Sequence, residues 1–552
     1  MSRCAVRSLL WMLFAGLLAA CQPAAPQPTP TPPPAARQLL LARGDLFSSS
    51  GECAGCHTGL KDESGADVSI DAHWRATMMA NAARDPYYRA SVRSEVVRLP
   101  ELRPVIEKKC ATCHLGMAYT TALAVEESTA MLDDGFLSPQ HPLFPLAQDG
   151  VSCTLCHQVQ SDRLGTPASF SGEYVIDKTT PQGQRAIFGR FPVTESTAAI
   201  MRGASGFVPK QSEHLSGPNL CASCHTLFTT TVQADGTLAA DPFPEQTPYL
   251  EWSRSQYAGQ TVCQDCHMPT AQGAVRIANT GSQPQEPFFQ HNFTGANAFM
   301  IGLVQANAEA LQATAEDEHF DTLQQRTQQL LQEQTAQLEL NAQRSGSSLD
   351  VTVKVTSQVG HKFPSGFPSR RAWLHLTVRD AAGAVLFESG QVQPDGSIPA
   401  NDNDQDPARF EPHYDRITAP DQVQIYEAVM VDSQGAVTTT LLQAAAYQKD
   451  NRLLPLGFDP AQAPPEIAVQ GQAAQDGNFT GGSDQVVYQV TLADPSAPLT
   501  VEVELLYQPL SYRWIEKIRA QDTPESQNFS VYLKNAPAPT FSKVAAAQLQ
   551  LP

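Results

Sequence analysis

The stretch Cys221-Ala222-Ser223-Cys224-His225 decides how this chain is read, because it is one of five copies of one pattern. The others are Cys53-Ala54-Gly55-Cys56-His57, Cys110-Ala111-Thr112-Cys113-His114, Cys153-Thr154-Leu155-Cys156-His157 and Cys263-Gln264-Asp265-Cys266-His267. In chain order they are motifs I to V, with the Cys221 copy as IV. The chain has 12 cysteines, and all but Cys4 and Cys21 lie in these motifs. Disulfides and CxxC zinc sites use paired cysteines, but neither needs a histidine after every second one. At ordinary residue frequencies a single chance CxxCH is expected in about one chain in a hundred or fewer. The pattern is the attachment signature of c-type haem: two thiols add to two vinyl groups, and the adjacent histidine is placed to bind iron. The sequence therefore predicts five haem c groups, with His57, His114, His157, His225 and His267 as proximal ligands.

The second axial position of each iron needs another donor or stays open. His73, His141, His214 and His291 lie inside the motif-bearing region, and His361 follows it in Gly360-His361-Lys362-Phe363-Pro364-Ser365-Gly366. These five are the candidate distal ligands, with Met79 as the competing sulfur donor. His319 on a polar helical stretch, His375 within Trp373-Leu374-His375-Leu376 and His413 in a polar loop are not assigned to iron. Motifs II and III start 43 residues apart and IV and V start 42 apart, which suggests a duplicated two-haem unit.

Trp74-Arg75-Ala76-Thr77-Met78-Met79-Ala80 and Trp252-Ser253-Arg254-Ser255-Gln256-Tyr257-Ala258 carry a second signal, with CQDCHMP, His291-Asn292-Phe293 and GHKFPSGFPSRR. They resemble the multihaem tetrahaem cytochrome c family of ammonia oxidisers and the related nitrite reductase and hydroxylamine oxidoreductase haem-packing group. That group often carries Trp-x-x-Ser-x-His-Ala with a distal-ligand histidine. Here Met79 and Tyr257 stand in the histidine place, so the resemblance implies a ligand role for Met79. Tyr257 is expected to pack or hydrogen-bond. The resemblance covers residues 43–373.

The N-terminus reads as an export signal: Arg3 and Arg7, an apolar run from Leu9 to Leu18, then Leu18-Ala19-Ala20-Cys21. That ending resembles the lipobox of bacterial lipoproteins, in which the cysteine, here Cys21, is acylated. Residues 22–36 are rich in Pro, Ala, Thr and Gln, an extended tether. Gln22 beside the cysteine resembles lipoproteins sent to the outer membrane, which implies a lipid anchor on its periplasmic side or at the cell surface. The formal net charge of −19 excludes nucleic acid as a partner by repulsion.

Beyond residue 300 an Ala-, Gln-, Glu- and Leu-rich stretch predicts one or two amphipathic helices. Period-two alternation then appears over 349–355, 372–378, 384–387, 486–492 and 499–505, which predicts a β-sandwich without cysteine. Arg370 and Arg371 are candidates to meet haem propionates. The expected organisation is multidomain: signal peptide 1–20, lipidated Pro-rich tether 21–40, a loop-rich and mostly α five-haem cytochrome domain 41–300, helical linker 301–333 and all-β sandwich 334–540.

Five sites with enough histidines to saturate each iron point to an electron carrier working with redox protein partners or an external acceptor. The alternative is an oxidoreductase acting on a small nitrogen or sulfur compound, which needs one iron with a free face. A third reading makes the sandwich a docking module to which the haems connect.

Overall fold

In the first half the chain alternates short helices with long loops. The computed structural model describes residues 37–399 and 401–552, so the expectations for the signal segment, the Cys21 lipidation site and residues 22–36 of the tether lie outside the described residues. Helices Gly51–His57, Ile70–Arg75, Pro86–Arg98, Arg103–His114 and Gly116–Ala124 come first. The Pro86–Arg98 helix shows why such a helix starts where it does. The Asp85 side chain accepts hydrogen bonds from the Tyr87 and Tyr88 amides, and Pro86 occupies the first turn, where its missing N–H costs nothing. Helices Ala298–Ala306 and Asp317–Gln334 follow. The second buries Phe320, Leu323, Thr327 and Leu331, a three-to-four-residue spacing that lays one face on the core.

The later half is built on two sheets. A four-stranded sheet runs in the order Arg416–Ile417, Ser483–Thr491, Ser348–Ser357, Ala336–Ser345. The last two strands form a tight hairpin in which Gly346 takes the left-handed backbone (φ 58°) that such a turn requires. Strand Ser348–Ser357 is buried at every second residue, as its sequence alternation predicts. A seven-stranded sheet has Arg371–Asp380 at its centre, flanked by Ile425–Val431 and Leu499–Gln508, with Ser542–Leu551 paired to the latter. Val351, Val353 and Val355 of the first sheet and Leu374, Leu376, Val501, Val503 and Val544 of the second share one buried cluster. The two sheets therefore face each other across a common core, as sandwich layers do. Strand Ile425–Val431 is buried throughout, because a second cluster with Trp373, Ile398 and Leu506 covers the far face of its sheet.

Two features depart from an all-β second half ending at residue 540. Strand Ser542–Leu551 lies beyond that limit, and helices Tyr512–Arg519 and Pro524–Asn535 precede it. These helices turn back to the first half, packing Ile515, Ile518 and Phe529 against Tyr87, Ala90 and Leu303. Residues 37–552 form one compact unit. Among the described residues no helix is long and apolar enough to cross a membrane.

Candidate functional site

Each motif lies on or against a short helix: Gly51–His57, the end of Arg103–His114, Cys153–Cys156, Asn219–Ala222 and Cys263–His267. One helical turn puts the two cysteines, three residues apart, on the same face and the histidine beside them. Of the ten motif cysteines Cys266 is exposed and the others are half-buried. Cys53 of I lies near Cys153 of III, Cys113 of II near Cys224 of IV, and Cys221 of IV near Cys263 of V.

Three of the five motif histidines are held in one orientation by the backbone. Nδ1 of His57 bonds the Ile277 carbonyl at 2.6 Å, Nδ1 of His157 the Phe188 carbonyl at 2.6 Å, and Nδ1 of His267 the Thr294 carbonyl at 2.5 Å. A proton on Nδ1 leaves the lone pair on Nε2, the tautomer that binds a metal. Burial lowers the pKa of all five, with His114 and His225 at about 4, so the rings are neutral at pH 7.

Two of these histidines have an imidazole opposite. The His157 and His291 rings lie 6.4 Å apart with planes 17° from parallel, and His267 and His361 lie 6.3 Å apart at 10°. Two imidazoles that share one metal ion, each through a nitrogen at about 2.0–2.1 Å, have centroids roughly 6.3 Å apart. The spacing therefore fits an iron between each pair, and the donor set fits a c-type haem. Burial, then the charge of His157, lowers the pKa of His291 to about 3. His361 donates from Nδ1 to the Lys362 carbonyl at 2.9 Å. Its loop is clamped by a buried ionic cluster: Glu251 accepts from the Lys362 amide and the Ser365 hydroxyl and pairs with Arg452, while Asp450 pairs with Arg452 and the Lys362 ammonium.

The other candidates fall elsewhere. His214 has both nitrogens engaged, Nδ1 with the Ser212 hydroxyl at 2.5 Å and Nε2 with the Val159 carbonyl at 2.8 Å, which leaves no lone pair for iron. His141 packs edge-on against Phe136, and its Nδ1 accepts from the Leu143 amide. His73 stands 6.5 Å from His319, a histidine the sequence does not assign to iron, and the Nδ1 atoms of both are buried without a hydrogen bond. Helix Asp317–Gln334 turns His319 toward the helix that carries His73, a long-range pairing that no local pattern announces. Among the described residues His157 and His267 are the motif histidines with a facing imidazole; His114 stacks instead on Tyr88 at 3.8 Å. Arg371 is fully buried against Asp404 and Gln508, which leaves it no reach to a propionate, while Arg370 donates to the Ser365 carbonyl and lies within electrostatic reach of His225.

The two tryptophan stretches make the same contacts. Trp74 donates from its indole to the Val151 carbonyl and Trp252 to the Thr261 carbonyl, in each case two residues before a motif. Thr77 and Ser255 cap back onto their tryptophan carbonyls. The Val151 amide donates to Met79, and the Thr261 amide to Tyr257. Tyr257 donates its hydroxyl to the Gln358 carbonyl at 2.7 Å, a hydrogen-bonding role. With the neighbouring thiols, the repeated unit is I–Trp74–III against IV–Trp252–V, with II as an insertion. The sequence spacing had paired II with III.

A further cluster, His413 with Asp476 and Asp484, brings three ligand atoms together. His413 Nδ1 accepts from the Gln424 and Asn451 amides, whose orientations are fixed by the Tyr414 and Glu427 N–H groups. Its Nε2 therefore carries the proton and donates to Asp476 at 3.2 Å, which makes this a hydrogen-bond network.

No protein-family model matches the chain, and no curated protein matches it. Among solved structures it is similar to the crystal structure of a penta-heme cytochrome c552 from Thermochromatium tepidum, with a TM-score of 0.50 and 16% identity. The match covers 91% of this chain and 98% of that one. The fold built around the five motifs is thus shared with a protein described as a penta-heme cytochrome.

Proposed function

We propose that the chain is a multihaem c-type cytochrome that carries five haem c groups and serves electron transfer. The observation that carries this reading is the pair of facing imidazoles, His157–His291 and His267–His361, each on a CxxCH motif and each at a metal-spanning separation. The ten motif cysteines would hold the haems as thioethers, the five motif histidines would bind the irons, and His291 and His361 would complete two of them. A bound haem c supplies one-electron redox chemistry. The protein's part is to orient the ligand rings through backbone carbonyls and to keep them neutral by burial. Likeness to a penta-heme cytochrome supports the same number of groups. Partners would be redox proteins or an external acceptor, and the Cys21 lipobox supports a lipid anchor at the outer membrane. A pyridine haemochrome assay and the intact mass of the exported protein test the reading: five haems per chain are expected, and fewer overturn it.

A specific observation favours a second reading beside it. His57, His114 and His225 lack a facing imidazole among the described residues, and both nitrogens of His214 are engaged in hydrogen bonds. An oxidoreductase with at least one open iron, acting on a small nitrogen or sulfur compound, fits that count. A high-spin resonance signal that shifts on adding nitrite, hydroxylamine or cyanide supports the oxidoreductase; five low-spin haems that ignore these ligands support the carrier.

A further inference from the structure

Two neighbouring histidines stand outside every motif and face no motif histidine. His73 lies on helix Ile70–Arg75, which packs between the motif I helix and helix Asp317–Gln334, the bearer of His319. His73 is 4% exposed. The two rings are 6.5 Å apart with planes 61° from parallel, and Nδ1 of each is buried with no hydrogen-bond partner among the described residues. A buried ring nitrogen left without a partner costs free energy, and folded proteins fill such places with water, an ion or a ligand. Asp71, on the helix of His73, pairs one oxygen with Arg75 at 2.9 Å, while its Oδ1 is buried and unpartnered. A cation held between the rings would compensate that oxygen. The frame around the pair is fixed by backbone anchors. Arg75 donates to the Thr314 carbonyl at 2.5 Å and Arg84 to the Gln312 carbonyl at 2.9 Å, which ties the segment around His73 to the turn leading into helix Asp317–Gln334. Ala76, Phe320 and Leu323, from the same two stretches, share one buried apolar cluster.

The separation of the rings discriminates among ions. Two imidazoles that bind one ion through nitrogens at about 2.0–2.1 Å have centroids roughly 6.3 Å apart when they stand opposite each other, and roughly 5.2 Å apart at the tetrahedral angle. The observed 6.5 Å matches the opposite arrangement, which a tetrahedral zinc site does not use. Rotation about the metal–nitrogen bond leaves the angle between the ring planes free, so 61° is compatible with shared coordination. Among the described residues no third histidine, cysteine or carboxylate ligand atom joins the pair. Imidazole suits copper, and the filled d shell of copper(I) accepts two nitrogen donors in a line. We propose that His73 and His319 form a metal site outside the five motifs, a near-linear two-nitrogen seat for copper(I). Each ring gives the lone pair of Nδ1 and keeps its proton on Nε2; no bond breaks and no electron is transferred. The ion would join helix Asp317–Gln334 to the helix that backs motif I.

The test uses the loaded full-length protein, reduced beforehand so that its haems do not oxidise the probe. Copper(I) is supplied under nitrogen as its acetonitrile complex, and unbound ion is removed by gel filtration. Elemental mass spectrometry should find one copper per chain in the wild type and none in His73→Ala or His319→Ala, with the same iron content in all three. Bound copper should raise the melting temperature of the wild type and leave those of the variants unmoved. X-ray absorption at the copper edge should show two nitrogen neighbours with imidazole outer shells. A wild type that retains no copper overturns the proposal, as does equal copper in wild type and variants. A new high-spin haem in reoxidised His73→Ala overturns it too, because His73 would then be a haem ligand. Should neither variant fold, the copper-edge spectrum of the wild type decides: two imidazoles support the site, and any other donor set rejects it.

Discussion

His361 and His214 are both histidines near the motifs, yet the structure gives them opposite roles. The difference lies in what the second nitrogen does. His361 keeps one nitrogen toward His267, whereas both nitrogens of His214 are occupied by Ser212 and Val159. His361→Ala and His291→Ala should each turn one haem high-spin, read by the absorption and resonance spectra, while His214→Ala should leave both spectra unchanged. The motif histidines were legible at once, because their spacing is local. Their distal partners were only half legible: His291 lies far along the chain from His157, and nothing local distinguishes it from His73 or His214. Asp149 carries a different consequence. It accepts hydrogen bonds from Ser50 and Ser152, and burial raises its pKa to about 6. Between the unfolded value and that one, the folded state binds more protons. Stability should therefore fall as pH rises from about 4 to about 6, by up to roughly 3 kcal/mol for this group. Thermal melts of Asp149→Asn across that range should show a smaller fall than the wild type; an identical slope would falsify the assignment to Asp149.

At the scale of elements, strands were easier to read than helices. Period-two alternation located Ser348–Ser357, Ser483–Thr491 and Leu499–Gln508 because one face of each meets the shared core. Helices Tyr512–Arg519 and Pro524–Asn535 escaped notice, since their apolar residues face a partner hundreds of positions away. The Glu251–Arg452–Asp450–Lys362 cluster belongs to this scale as well, because it joins helix Pro248–Ser253 to the sheet region. Removing one charge leaves its partner buried and uncompensated. Glu251→Gln should lower unfolding stability by about 3 kcal/mol in urea titration. It should also loosen the loop that presents His361, which would broaden the resonance signal of that haem. Strand Ser542–Leu551 covers one edge of Leu499–Gln508. A chain truncated after Pro537 bares that edge and should aggregate at concentrations where the full chain stays monodisperse by light scattering.

For the whole molecule, the half that carries the motifs and the half that carries the two sheets are in contact within one compact unit. The C-terminal helices rest on the first helical region, and the His361 loop of the second half faces a motif of the first. Circular dichroism in the far ultraviolet and absorbance in the Soret band should therefore melt together. Two transitions several degrees apart would mean that the halves fold independently.

The His361 loop also sets a condition on how the protein is made. His267 belongs to the first half of the chain and its facing imidazole to the second, where the buried Glu251–Arg452–Asp450–Lys362 cluster holds the loop. A cofactor attached at motif V before the sheets form would have one of its two ligands, so the redox properties of that site would be set only after the second half has folded.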